Sequence, residues 1–201
     1  MSWQEQVERG LLLVEADPQH DLRVGFRCRL LLAFDDPPRN RDIGRRARAH
    51  LAALSIRKVL PLWESTFPSD RLPHEALELA EKVLAGTEPA PAAKRFIGKS
   101  WSHCDELVYR FAEKQPAIMV GYGAVQMVSE ALTLDFDCSQ IREEMADLDV
   151  DPYEHDSSFF ASVAYCGGPS WEECSNAQKR LEFWTWWLTY AVGSAVQAAK
   201  P

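Results

Sequence analysis

The sequence lacks the patterns of a secreted or membrane protein. It has five cysteines in 201 residues, an odd number with no CxxC pair, which argues against a disulfide-stabilised scaffold. The first residues lead into no long apolar run of the kind that a secretory signal requires. The uncharged stretch 183–199 is shorter than the roughly 20 apolar residues of a membrane-spanning helix. We therefore expect a cytoplasmic protein without a membrane partner.

Positive charge is also scarce. The chain has 22 Lys and Arg against 30 Asp and Glu, a formal net charge of −8. A general nucleic-acid-binding protein needs Lys and Arg facing the phosphates, so we expect no nucleic-acid partner. The local run of arginines between Arg39 and Arg48 is interpreted as the solvated face of a helix.

Alternating strand patterns are missing, whereas helical spacing of apolar residues is frequent. In the first segment, Trp3, Val7, Leu11 and Val14 recur at such a spacing. The sequence therefore predicts an all-α protein of eight or nine helices, with residues 1–201 in one compact domain and no sheet. The candidate internal boundary is the Pro/Ala-rich segment 87–93.

Several local features of these helices are predicted as well. Pro61 falls inside a long helical stretch, where it removes a backbone hydrogen bond, so we expect a kink or a new helix start. The small residues of 116–134 indicate a central, crowded helix. The acidic stretch 137–151 is ambiguous, with a short helix around 139–148, and 152–165 is predicted to be helical. Asp70 is a candidate N-cap and Gly86 a candidate C-terminal cap.

One acidic motif begins like a calcium-binding loop. Asp147, Asp149 and Asp151 have the spacing of the first three ligands of an EF-hand. Pro152 then occupies the position that needs glycine, and Ser158 the position that needs a bidentate glutamate. A solvated acidic loop is the better interpretation, and we expect no bound metal and no cofactor.

Catalytic signatures are weak. The sequence has no HExxH and no GxSxG, and we expect no catalytic residues. His103 and Glu106 are three residues apart and could share a helix face. One alternative is therefore a small helical enzyme, with or without a metal ion, that uses a pocket with His103 or His155 and nearby carboxylates. The other alternative is a helical scaffold or interaction protein.

Two segments rich in Trp and Pro carry a family resemblance. Residues 59–64 read VLPLWE, residues 67–77 read FPSDRLPHEAL, and residues 183–188 read FWTWWL. This pattern resembles the Imm5 type of bacterial immunity proteins, which are all-α and encoded beside polymorphic toxins. One departure is Leu72, which separates Arg71 from the second proline of the motif. The motif residues, interpreted as structural, are Pro61, Trp63, Glu64, Pro68, Asp70, Pro73, Trp184 and Trp187.

The resemblance implies a protein that binds and neutralises a cognate toxin and performs no catalysis. An acidic surface suits a basic partner, because complementary charge steers association. The oligomeric state stays open. The candidate partner-binding surface consists of Asp135, Asp137, Glu143, Glu144, Asp147, Asp149, Asp151, Glu154 and Asp156.

Overall fold

Helices make up almost all of the regular structure. The computed structural model describes residues 1–35, 41–134 and 136–200. The helices are α1 (Trp3–Ala16), α2 (Val24–Leu32), α3 (Arg41–Thr66), α4 (Leu72–Leu84), α5 (Ala90–Arg110), α6 (Gln115–Leu132), α7 (Ser157–Cys166), α8 (Ala177–Trp186) and α9 (Val192–Ala198). A π-helical turn, Trp187–Ala191, joins α8 to α9 without a break, so the described residues form eight separate helices and no strand. The prediction of an all-α fold is confirmed.

Short 3-10 turns occupy several of the connections. They lie at Ala33–Asp35, Ala112–Lys114, Asp147–Asp149 and Pro152–Glu154. None of the helices in the described ranges is long and apolar enough to cross a membrane.

Helix ends follow local capping chemistry. Ser2 and Glu5 form a reciprocal capping box at the start of α1. The Asp156 carboxylate accepts hydrogen bonds from two backbone N–H groups at the start of α7. Gly86 and Gly167 follow α4 and α7 with φ of 71° and 84°, a left-handed conformation that glycine adopts without a Cβ penalty. The predicted cap at Gly86 is thus confirmed.

Helix α6 lies at the centre, in contact with α3, α4, α5 and α7. Its small residues allow this close packing. A Cβ at Gly121 would lie 2.7 Å from the indole of Trp63, and a Cβ at Gly123 would lie 2.7 Å from Cδ1 of Ile56. The prediction of a crowded central helix is confirmed.

Buried side chains from both sides of residues 87–93 belong to one hydrophobic core. This core includes Leu77 and Leu84 of α4 and Leu107 of α5. The chain therefore packs as one compact all-α domain. An internal boundary at 87–93 stays a prediction.

Pro61 does not start a new helix. Helix α3 continues through it to Thr66. Pro61 is exposed, whereas Val59 and Trp63 on either side are buried in the core. Packing of these neighbouring residues preserves the helix, although Pro61 donates no backbone hydrogen bond.

The acidic stretch contains no α-helix, so the helix expected around 139–148 is wrong. Its carboxylates hydrogen-bond the local backbone, a competitor of the helical ladder. Oδ1 of Asp137 accepts from Ser139 N at 2.8 Å, and Oδ2 of Asp149 accepts from Ala146 N at 2.9 Å. The helix predicted over 152–165 begins only at Ser157.

Candidate functional site

A buried arginine anchors the acidic segment. Arg27 of α2 is fully buried, and its guanidinium pairs with both oxygens of Asp147, at 2.6 Å from Nη2 and 3.1 Å from Nη1. Its Nε donates to Oδ2 of Asp156 at 2.7 Å. The rings of Phe159 and Trp184 lie 5.6 and 5.4 Å from the guanidinium carbon, a cation–π arrangement. The segment that contains both aspartates is thereby attached to α2 and α7.

Electrostatics within this cluster favour the ionised forms. Burial opposes the charge of Arg27, but Asp147 and Asp156 outweigh it and raise the pKa of the guanidinium. Burial likewise opposes the charge of Asp156, and Arg27 outweighs it by holding the pKa of that carboxyl below its usual value. The cluster is therefore a compensated buried ion network.

Asp147 and Asp156 are consequently not members of an exposed surface. The side chain of Asp147 is 1% exposed and that of Asp156 is 14% exposed. The interpretation of these two residues as partner-contacting is wrong in position. The two aspartates pair with Arg27, which is distant from them in the sequence, so the net charge of the acidic segment did not indicate their role as anchors.

Other members of the predicted acidic surface do face solvent. Glu143 forms an ion pair with Arg9, and Glu144 forms one with Arg142 at 3.2 Å. Asp135 lies outside the described residues, as does Arg39 of the arginine run. The fully exposed members are Asp137, Glu144, Asp149, Asp151 and Glu154.

Besides Asp137, three of the exposed carboxylates have no cationic partner among the described residues. They are Asp149, Asp151 and Glu154, which lie within six positions of the chain, and none of them forms an ion pair in the described ranges. Asp149 and Asp151 use one oxygen each to order the loop backbone. We call residues 149–154 the acidic loop.

The two histidines of the enzyme alternative line different cavities. Nε2 of His103 lies 2.6 Å from Oδ2 of Asp70 in a groove beside α4. His155 stacks on Phe159 at 3.9 Å, and burial, followed by the charge of Arg27, lowers its pKa to about 4. The two rings thus lie in separate pockets, and the described residues contain no group of three or more side chains suited to hold a metal ion.

The first family motif builds the turn between α3 and α4. Nε1 of Trp63, a fully buried ring, donates to the carbonyl of Asp70 at 2.8 Å. Oδ1 of Asp70 accepts from Leu72 N at 2.9 Å, although the N-cap position itself is Arg71 rather than the predicted Asp70. Pro68 lies in the same turn, and Pro73 lies in the first turn of α4.

The remaining motif residues also contact neighbouring helices. Glu64 lies 3.1 Å from Nε2 of His74. Trp184 and Trp187 are fully buried, and Nε1 of Trp187 donates to Oγ of Ser158 at 2.9 Å. These contacts agree with a structural interpretation of the motif.

An aromatic cleft beside the acidic loop was missed from the sequence. Its volume is about 460 Å³, and it also contains the carboxylates Asp105 and Glu172. Its rings come from α5, α6, α7 and two connecting segments, so no local spacing could reveal it. The aromatic residues of this cleft are Trp101, Tyr122, Tyr153, Phe159, Phe160 and Trp171.

The fold and these surfaces define a small all-α protein with an anchored acidic loop and an aromatic cleft next to it. The family model described as immunity protein Imm5 matches residues 7–194, nearly the whole chain. A search of curated proteins finds no match. The chain belongs to the Imm5 family of immunity proteins, and the predicted resemblance is confirmed. Immunity protein families are generally non-catalytic.

Proposed function

We propose that this protein binds a cognate bacterial toxin in the cytoplasm and neutralises it by occupying a basic face, without catalysis. The observation that carries the proposal is the acidic loop. It presents Asp149, Asp151 and Glu154 to solvent without a cationic partner in the described chain. Family membership supplies the toxin-directed role.

The anchoring of the loop favours tight binding. Asp147, two residues before the loop, and Asp156, two residues after it, are both paired to the buried Arg27. A loop held at both ends loses little conformational freedom when a partner binds, which reduces the cost of association. Its three negative charges then steer a basic surface toward it at low ionic strength.

Binding rather than chemistry is also favoured by the state of the histidines. His155 is neutral at pH 7, because burial and Arg27 lower its pKa to about 4. It stacks on Phe159 and belongs to the walls of the cleft. His103 is separated from it in another groove, where its partner is the motif residue Asp70.

Charge reversal of the acidic loop tests the proposed binding surface. The triple variant Asp149→Lys, Asp151→Lys and Glu154→Lys is measured against the toxin encoded by the adjacent gene, over a range of salt concentrations. We expect an affinity loss of at least about 100-fold at low salt, since juxtaposed like charges cost several kcal/mol. The salt dependence of association should weaken as well. Asp147 is excluded from this variant because its side chain is buried.

A matched control reverses the same number of charges elsewhere. Glu8, Glu15 and Glu113 are exposed and lie outside the acidic loop and the aromatic cleft. The control Glu8→Lys, Glu15→Lys, Glu113→Lys should retain most of the affinity. Equal losses in both triple variants would show that net charge alone matters and would remove the acidic loop from the proposal.

A further inference from the structure

We infer that the aromatic cleft receives an arginine side chain of the toxin. This inference rests on the proposed function and names one contact of the proposed interface. The cleft adjoins the acidic loop, because Tyr153 belongs to both. A basic surface that docks on the loop would therefore place its neighbouring side chains at the mouth of the cleft.

The rings of the cleft form a contiguous aromatic surface, and two of them are exposed to solvent. Trp101 lies 4.7 Å from Tyr122 and 5.1 Å from Tyr153 between ring centroids, and Trp171 stacks on Phe159 at 6.1 Å with 17° between the planes. Tyr153 is 64% exposed and Trp171 is 43% exposed, an uncommon exposure for rings of this size. Ring faces attract cations, and partly exposed aromatic residues are frequent centres of protein interfaces.

The charged side chains that line the cleft are both acidic, and the buried guanidinium of Arg27 contacts one of its rings, Phe159, without lining the cleft. Asp105 and Glu172 line the cleft, and no Lys or Arg is among its lining residues in the described chain. The hydroxyl of Tyr122 donates to Oδ1 of Asp105 at 2.6 Å, which orients that carboxylate at the cleft. His155 in the cleft wall is neutral at pH 7 and does not repel an entering cation.

Arginine fits this combination better than lysine. A guanidinium is planar, stacks on aromatic faces and pairs with a carboxylate through two parallel N–H donors. An ammonium is a compact point charge that holds its water more strongly. The cleft offers both stacking faces and carboxylates, so its occupant is assigned as an arginine side chain.

A short peptide probe tests the cleft without the toxin. The probe is acetyl-Gly-Arg-Gly-amide, and its control is the same peptide with citrulline, which has nearly the same shape and no charge. Nuclear magnetic resonance follows the indole N–H signals of Trp101 and Trp171, assigned with Trp101→Phe and Trp171→Phe. We expect both signals to move with the arginine peptide and much less with the citrulline peptide.

Two isosteric variants test the role of charge. Asp105→Asn and Glu172→Gln together should weaken peptide binding about fivefold, the range expected for two partly exposed ion pairs. The control Asp137→Asn and Glu144→Gln removes two exposed carboxylates outside the cleft and should leave binding unchanged. Equal shifts with citrulline, or equal affinities of the two double variants, would overturn the inference.

Failure of this inference is distinguishable from failure of the proposed function. A toxin that binds the protein, combined with no peptide-induced shift at Trp101 or Trp171, would refute the arginine contact and leave neutralisation standing. Peptide shifts without any toxin complex would refute the proposed function instead. With the toxin itself, unchanged affinity of the Asp105→Asn, Glu172→Gln variant would also refute the contact.

Discussion

Removal of the Arg27 guanidinium is the most informative perturbation of the fold. Arg27→Met keeps an unbranched side chain of apolar character and removes the cation that pairs with both Asp147 and Asp156. Both carboxylates then remain buried, at 1% and 14% side-chain exposure, without their cation. The expected consequence is a large loss of stability and a released acidic segment.

The magnitude follows from the contacts of the buried pair. Removal of one partner of a buried ion pair leaves an uncompensated charge and costs about 3–5 kcal/mol. Arg27 faces two carboxylates, so the upper part of that range is expected at pH 7. Because small domains have total stabilities of about 5–15 kcal/mol, the variant should be strongly destabilised at 25 °C.

The loss of stability in Arg27→Met should also depend on pH. Arg27 holds the pKa of Asp156 below its usual value, so the stability from this pairing is present above about pH 4 and is lost as pH falls through the lowered pKa. In the Arg27→Met variant at low pH, the carboxyl groups of Asp147 and Asp156 are protonated and neutral, so their burial without a cation is less costly. The difference in unfolding free energy between wild type and variant should therefore be largest near pH 7 and should narrow below pH 4.

Urea unfolding followed by tryptophan fluorescence measures both effects. The control is Arg57→Met, which breaks the exposed pair with Glu81, whose side chains are 49% and 68% exposed. That control should lose less than about 1 kcal/mol. A loss below about 1 kcal/mol for Arg27→Met, or a loss independent of pH, would refute the anchoring role of Arg27.

Two further predictions concern α6. Burial, and then a nearby carboxylate, raises the pKa of Glu130 to about 7, so this group contributes stability below its unfolded pKa near 4.5 that is lost as pH rises through 7. Glu130→Gln retains an acceptor for Ser157 N and Oγ. In urea unfolding, the free energy of unfolding of this variant should rise relative to that of wild type by up to about 3 kcal/mol between pH 5 and pH 8. A difference in unfolding free energy that does not change with pH would contradict this prediction. Gly121→Ala should cost about 1–3 kcal/mol in the same assay, because its Cβ would meet the buried ring of Trp63. Gly98→Ala is the control, since a Cβ there meets nothing within 4 Å; equal effects would refute the packing argument.

Local features of the fold were predictable from the sequence. The apolar spacing predicted for the first segment lies within helix α1, Trp3–Ala16, where a capping residue, the apolar residues and the terminating Asp17-Pro18 are all close in the sequence. The family motif was recognisable for a similar reason. Its Trp63 and Asp70 are seven residues apart and bond one another directly.

The site was less predictable because its contacts are distant in the sequence. Arg27 is separated from Asp147 by 120 residues and from Asp156 by 129. Along the chain, these aspartates look the same as the exposed Asp149 and Asp151, and only tertiary packing distinguishes an anchor from a surface charge. The aromatic cleft could not be predicted for the same reason, since Trp101 and Trp171, which both line it, are far apart in the sequence.

The proposed neutralisation is tested most directly by growth of bacteria that express the candidate toxin, which is to be sought among the genes next to this one. The account predicts that co-expression of the wild-type protein restores growth and that the two proteins purify together. It also predicts that the Asp149→Lys, Asp151→Lys, Glu154→Lys variant, expressed at the same level, fails to restore growth. Absence of rescue and of a complex with the wild-type protein would contradict the central claim.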